Sequence, residues 1–205
     1  SAARVWSEQV LRRIFPGGIA ESVILDGDEA VEEALLERRI DLLVTISDQF
    51  LRLRNRVPLV PALVSATDHD PFHTVLLLVR RDAGISRLGD LRGKRLMVSR
   101  EQTRSVHKTW LETILMREAA TRTAEFFSTV RDAENASKSI LPVFFRQADA
   151  CVTTLQSFRV VSELNPQLGR DLVVLAQSDD LAGGVLAFRE GYDAAAREKL
   201  TAGLL

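Results

Sequence analysis

Two rhythms of apolar and polar positions run along the chain. Short unbroken apolar runs, such as LLVTI at 42–46 and VLLLV at 75–79, punctuate stretches in which apolar residues recur every three or four positions. An unbroken run predicts a strand covered on both faces, as in a parallel sheet, and the longer recurrence predicts a helix. The pattern predicts strands at 22–25, 42–46, 58–64, 72–81, 95–99, 125–130, 150–153, 172–176 and 185–188. It predicts helices at 1–13, 29–38, 48–53, 106–119, 134–146 and 156–164, a helical turn within 86–93, and a last helix from Tyr192. Pro142 should kink or weaken its helix, and Pro58 and Pro61 suit an irregular or edge strand. Strands alternating with helices predict an α/β fold with parallel sheets flanked by helices.

One pattern occurs twice. Residues 38–45 read RRIDLLVT and residues 146–154 read RQADACVTT. In each, an Arg precedes an Asp by three positions, an apolar strand follows, and a Thr stands four positions after the Asp. Each Asp lies before its strand, at the wrong sheet edge for a ligand, and reads as a turn or cap residue. Each Thr lies where the strand gives way to a helix, the edge at which open α/β sheets bind ligands. The repeat and the break near 65–73 predict two lobes joined by strands acting as hinges.

Composition narrows the function. The chain has 205 residues, 46% hydrophobic and 27% charged, with formal net charge −1, which argues against a general nucleic-acid binder. Cys151 is the one cysteine, so an intrachain disulfide is impossible and a buried structural role is expected. No apolar run approaches the length of a membrane span. Helical patterns at both ends read as a fragment trimmed from a longer protein, a reading that leaves room for a removed export signal.

The candidate chemistry lies at helix starts. Thr45 and Ser47, Thr103 and Ser105, and Thr153 and Thr154 each place hydroxyls where free N–H groups and the helix dipole favour an anion. Plain capping is the competing explanation at each, and Ser47 is placed as a cap. Arg100 and Arg104 flank the middle loop and could pair with an anionic ligand. Phe72 and His73 are placed to line a cleft. His69, His73 and His107 do not form a metal motif, because Pro71 interrupts the one helical spacing. P-loop, dinucleotide, zinc-protease and nucleophile-elbow motifs are absent.

The run FHTVLLLVRRDAGISRLGDLRGKRLMVS resembles phosphonate/phosphate-type periplasmic substrate-binding proteins of ABC importers, the PhnD-like group. RRIDLLVT, ADACVTT, SELNPQLGR, LVVLAQS and YDAAAREKL extend the resemblance over nearly the whole chain. It implies the two-lobed type 2 periplasmic-binding fold. Each lobe would be a mostly parallel sheet flanked by helices, and two crossover strands would join them. Lobe I would comprise 1–72 with 183–205, lobe II would comprise 73–182, and a first strand of lobe I would precede Ser1. The family's Ser-Thr-Ser-Gly anion loop falls on Gln102, Thr103, Arg104 and Ser105, of which only Thr103 matches in place. Thr45 and Ser47 fall on the lobe I loop, and Thr153 and Thr154 on its lobe II counterpart. Asn135 and Ser137 fall on a further loop that faces the cleft in such proteins.

The resemblance implies a non-catalytic, monomeric binding protein outside the cytoplasm. It would need no cofactor or metal and would not bind nucleic acid. It would capture a small anion, a phosphonate, phosphate or related oxyanion, and present it to a membrane permease. A ligand-sensing domain of a signalling or regulatory protein with the same fold is the alternative. An enzyme on this fold ranks lower, because the sequence shows no nucleophile–base pair.

Overall fold

The computed structural model describes residues 2–17, 21–66, 71–99 and 104–205, with backbone alone at 2–7, 104 and 105. In chain order the elements are α1 (Ala2–Ile14), α2 (Gly27–Leu36), β1 (Leu42–Ile46), α3 (Ser47–Leu53), β2 (Leu59–Val64), β3 (Phe72–His73) and β4 (Val75–Arg80). A 3-10 turn (Leu88–Leu91), β5 (Arg95–Ser99), α4 (Arg104–Ala119), α5 (Thr123–Phe126), β6 (Thr129–Ala133) and α6 (Ala136–Phe144) follow. The chain closes with β7 (Ala150–Thr154), α7 (Leu155–Leu164), α8 (Pro166–Asp171), β8 (Leu172–Gln177), β9 (Leu181–Ala182), β10 (Gly184–Arg189) and α9 (Ala194–Leu204). Two compact units result, one of Ser1–Ser65 with Gly184–Leu205 and one of Ala66–Gly183.

The second unit holds a sheet in the order β6-β5-β7-β4-β8. Strand β5 pairs in parallel with β6 and β7, and β4 is antiparallel to β7 and β8. One strand, β4, thus runs against the other four. Its residues 75–79 are all fully buried. Val75, Leu77 and Val79 join Leu96, Val98 and Val152 beneath Leu111, Ile114 and Leu115 of α4 and Phe126 of α5. Leu76, Leu78 and Cys151 face the other way, toward Ile140 and Val143 of α6 and Leu168 of α8. Each such aliphatic side chain contributes about 1.5–3 kcal/mol on burial.

The first unit has the sheet β1-β10-β2. Strand β10 lies antiparallel to both neighbours, so β1 and β2 share a direction. Val31 and Leu35 of α2 and Leu53 of α3 pack on Leu43 of β1. The expectation of mostly parallel sheets holds for strand direction, but every ladder in this sheet is antiparallel because the returning strand is inserted at its centre. Strand β1 is not covered on both faces: it is an edge strand and Val44 is 72% exposed.

Other expectations change locally. Residues 22–25 form no strand, with Val23 and Ile24 largely exposed. The segment 125–130 divides between α5 and β6, because the apolar pair Phe126-Phe127 fills the core at a helix end rather than along a strand. The strand expected over 72–81 breaks at Thr74: before it β3 pairs with β9, and after it β4 enters the large sheet. The ladder of β2 is irregular beside Pro61, which lacks an N–H to donate. Pro142 sits in the last turn of α6, where its carbonyl accepts the N–H groups of Gln147 at 2.7 Å and Ala148 at 3.0 Å. It therefore stands near the helix end.

The repeated motif has one backbone geometry. Arg38 and Arg146 adopt left-handed φ of 59° and 60°. After α2, Arg39 and Ile40 both donate to the carbonyl of Ala34; after α6, Gln147 and Ala148 both donate to that of Pro142. These bonds close the helix with a left-handed residue, as in a Schellman motif. The following Asp then binds the arginine of an adjacent strand. Asp41 pairs with Arg189 at 2.7 Å, and Asp149 pairs with Arg95 at 3.0 Å while accepting the Arg95 N–H at 2.8 Å.

Two predictions follow from this geometry. Arg38→Gly should stabilise the protein by about 0.5–1 kcal/mol, because a left-handed backbone strains a residue with a Cβ; equilibrium denaturation measures it. The Arg95 guanidinium holds the Asp149 carboxyl below its usual 3.8. Backbone and side-chain bonds from Ser86 and Arg87 hold Asp90 down to about 2. Lowered carboxylates contribute stability above their unfolded pKa and lose it as pH falls through the folded value. Stability should therefore drop between 3.8 and about 2, and Asp149→Asn should make that drop smaller in an acid titration of folding.

Candidate functional site

In the larger unit three helices start at one edge. Helices α4, α6 and α7 follow β5, β6 and β7, which all run the same way. Helix α4 packs on one face of the sheet and α6 on the other. The chain thus steps from β5 to β6 over one face and returns past β5 to β7 over the other. The carboxyl ends of β5 and β7 flank the point where the winding reverses, the usual ligand crevice of an open α/β sheet.

Two hydroxyls stand there. Ser99 ends β5 and Thr153 lies one step before the end of β7. Each follows the paired residues Val98 and Val152, so the two are neighbours on adjacent strands. By alternation they share the face of Met97 and Cys151. Both are fully buried, and neither hydroxyl has a hydrogen-bond partner among the described residues. A buried hydroxyl left unpaired costs about 1–3 kcal/mol, so such groups point to a ligand or to strain held for one.

Thr154 and Asn135 do the work of caps. Thr154 Oγ1 accepts the Ser157 N–H at 3.1 Å at the start of α7, and Asn135 Oδ1 accepts the Lys138 N–H at 2.9 Å at the start of α6. Ser137 is exposed in the first turn of α6. Phe72 is 46% exposed and His73 half-buried in β3, whose partner is β9. Arg104 and Ser105 open α4, where only their backbone is described; Gln102 and Thr103 lie outside the described residues.

The smaller unit has a corresponding edge. Helix α3 begins directly after β1, with Ile46 at the cap position and no side-chain cap bond. Ser47 is therefore the first helical residue and not the cap. Thr45 Oγ1 donates to Gln49 Oε1. Gln49 Nε2 donates to Asp28 Oδ1 at 3.0 Å, and Arg52 Nε donates to Asp28 Oδ2 at 2.6 Å. The Arg52 guanidinium lowers the Asp28 pKa, keeping the carboxylate ionised. Arg52 also reaches Asp48 at 2.6 Å. Gly184 begins β10 beside this edge, and a Cβ there would lie 2.6 Å from Ser65 Oγ.

Thr45 and Thr153, at matching places in the repeat, thus have different surroundings. Asp41 and Asp149 stand at the opposite, amino-terminal ends of their strands, where each binds an arginine. Burial raises the Cys151 thiol far above its ordinary value, so it behaves as a small apolar core residue. Among the described residues no group of three His, Cys, Asp or Glu side chains could hold a metal, and no helix is long and apolar enough to cross a membrane. Ser99 and Gln49 were not among the residues expected from the sequence. The signal for Ser99 was a serine closing an apolar strand; Gln49 carried none, because its role depends on Asp28 in another helix.

The model of the family described as "ABC transporter, phosphonate, periplasmic substrate-binding protein" matches residues 19–205. No curated protein matches the chain. Among solved structures, XAC2383 from Xanthomonas citri bound to ATP is 18% identical with a TM-score of 0.67, over 99% of this chain and 76% of that one. PhnD1 from Prochlorococcus marinus (MIT 9301), in complex with methylphosphonate, is 12% identical with a TM-score of 0.61, over 100% and 78%. A binding-protein component of an ABC phosphonate transporter from Pseudomonas aeruginosa (PA3383) is 14% identical with a TM-score of 0.56, over 94% and 68%. At these identities the structures establish the two-lobed type 2 periplasmic-binding fold.

The hydroxyls separate in a stability experiment. Thr153→Val should be neutral or stabilising by up to about 1 kcal/mol, because it removes a buried unpaired hydroxyl without changing shape. Thr154→Ala should cost about 1 kcal/mol through the lost cap. Chemical denaturation of the ligand-free protein checks both.

Proposed function

We propose that this chain, which belongs to the family of periplasmic substrate-binding proteins of phosphonate ABC transporters, holds a phosphorus oxyanion at the edge formed by Ser99 and Thr153. The observation that carries the proposal is this pair of buried hydroxyls, side by side at the reversal point of the sheet and unpartnered among the described residues. Phosphonate and phosphate oxygens accept several hydrogen bonds at once. Hydroxyls and helix N-termini supply donors at fixed positions without requiring a buried positive charge.

The two most similar folds described above favour the same chemistry. One holds methylphosphonate and the other ATP, and both ligands carry phosphorus-bound oxygens. The Thr103 and Arg104 expected from the anion loop follow β5 in sequence, four and five positions after Ser99. They belong to the same proposal as further donors, as do Ser105 and Ser137. Family membership makes the role capture of a solute. Handing the solute to a membrane permease, an extracytoplasmic location, a monomeric state and hinge movement between lobes 1–72 with 183–205 and 73–182 complete the reading.

A ligand that binds only the folded protein raises its stability by about 2.7 kcal/mol at one hundred times its dissociation constant. For a chain of this size that corresponds to roughly 5–11 °C in melting temperature. Methylphosphonate or inorganic phosphate should produce a saturable shift of this order. Ser99→Ala combined with Thr153→Val should weaken binding at least about tenfold, the loss of one to two good hydrogen bonds. A wild-type protein that melts at the same temperature with and without either oxyanion defeats the proposal.

A further inference from the structure

The amino-terminal edge of the larger unit's sheet carries positive charge that the fold does not use. Lys94 and Arg95 stand at the start of β5, Asp149 before β7, Arg81 after β4 and Arg170 before β8. Strand β4 runs against its neighbours, so its end lies at this edge, with Arg80 opposite Leu172. Arg92 and Arg122 lie beside the start of β6, Arg92 over the Phe126 ring at 4.9 Å and Arg122 at the cap position of α5. The aspartates of this edge are taken up in ion pairs. Asp82 binds Arg80 at 2.8 Å and Arg146 at 2.6 Å, Asp149 binds Arg95 at 3.0 Å, Asp90 binds Arg87 at 3.2 Å, and Asp171 lies 3.9 Å from Arg80. Arg81, Arg92, Lys94, Arg122 and Arg170 are exposed and have no carboxylate partner among the described residues. Against them stand Glu125 and Glu163, which bind no cation among those residues. Of the five cations Arg170 lies in the last turn of a helix, where the helix dipole accounts for it; the others do not.

Two apolar side chains stand exposed at the same end. Helices α6 and α7 follow the codirectional strands β6 and β7 and pack on one face of the sheet, so their ends lie on one side. Phe145, directly after α6, is 62% exposed, and Leu164, the last residue of α7, is 83% exposed. The Phe145 ring meets Phe144 edge-on with centroids 5.0 Å apart, and the Arg80 guanidinium lies over Phe144 at 5.6 Å.

We infer that this edge docks on an anionic membrane surface, with its cations among lipid headgroups and Phe145 and Leu164 at the interface. From Lys94 to Arg170 the cations cross three strand spacings, about 14 Å, without converging on one point. A single small anion engages one or two of them, whereas a plane of headgroups meets the whole row. Exposed aromatic and aliphatic side chains beside arginines are the composition of interfacial membrane contacts. Membership of an ABC-transporter family places the chain's work beside a membrane. Ser99 and Thr153 lie at the opposite edge of the same sheet, so docking leaves them untouched and the inference stands apart from the oxyanion reading.

The test is cosedimentation of the full chain with vesicles of phosphatidylcholine alone or with about one third phosphatidylglycerol. Binding should require the anionic lipid and fall steeply between about 0.1 M and 1 M salt, as the screening length shortens from about 10 Å to 3 Å. Each cation near an anionic leaflet is worth about fivefold, so Lys94→Gln with Arg170→Gln should weaken partitioning about twentyfold. Phe145→Ala should weaken it at least about threefold through the lost interfacial ring. Lys108→Gln with Lys138→Gln removes the same charge at the opposite edge and should change it less than about twofold. Melting temperatures establish that each variant is folded. No sedimentation with anionic vesicles, equal sedimentation with neutral ones, or unchanged partitioning of the Lys94→Gln, Arg170→Gln variant overturns the inference. Retention on poly-glutamate in the absence of vesicle binding also overturns it and assigns the face to an acidic protein surface. None of these outcomes bears on the oxyanion reading, which methylphosphonate binding decides separately.

Discussion

Strand β4 is hydrogen-bonded on both edges and covered on both faces, and the arrangement of the larger unit depends on it. Its five fully buried residues join the two cores on either side of the sheet. Its register sets Thr153 opposite Leu76 and Thr154 opposite Val75. Because β4 begins beside the end of β7, it must run against β5, β6 and β7. Strand β10 repeats the device in the smaller unit, beginning beside Ile46 at the end of β1 and running back between β1 and β2. In both units the chain crosses over at the carboxyl edge of the sheet.

Charge and hydroxyls are divided between the two sheet edges. Aspartates 41 and 149 stand before their strands and clasp arginines of adjacent strands, which fixes the strand ends. At the carboxyl edges, Thr45, Ser99, Thr153 and Thr154 are neutral. Where charge does approach, as at Asp28, it is paired with Arg52 and reaches Thr45 only through the Gln49 amide.

Much of the fold was legible because burial and backbone geometry leave local marks. The apolar runs at 42–46 and 75–79 became strands, and the echo of RRIDLLVT in RQADACVTT corresponds to one helix-closing geometry used twice. The misreadings have a common cause. Residues 22–25 and 125–128 have apolar content without partners that would make them the strands expected, and pairing is decided elsewhere in the chain. Asn135 and Thr154 cap their helices, their oxygens accepting local N–H groups, and Ser47 lies one position inside its helix.

By itself the sequence determined the alternation of elements, the duplicated motif and the presence of hydroxyls where strands give way to helices. Spacing and side-chain type are local properties and survive in a one-dimensional reading. Only the tertiary structure decided which hydroxyls are bonded and in which direction. Ser99 and Thr153 become neighbours through the parallel pairing of β5 with β7, across more than fifty residues of intervening chain. Thr45 donates to Gln49, whose amide is turned by an aspartate on another helix. A hydrogen bond's direction depends on every partner in its chain, and those partners meet only when the protein folds.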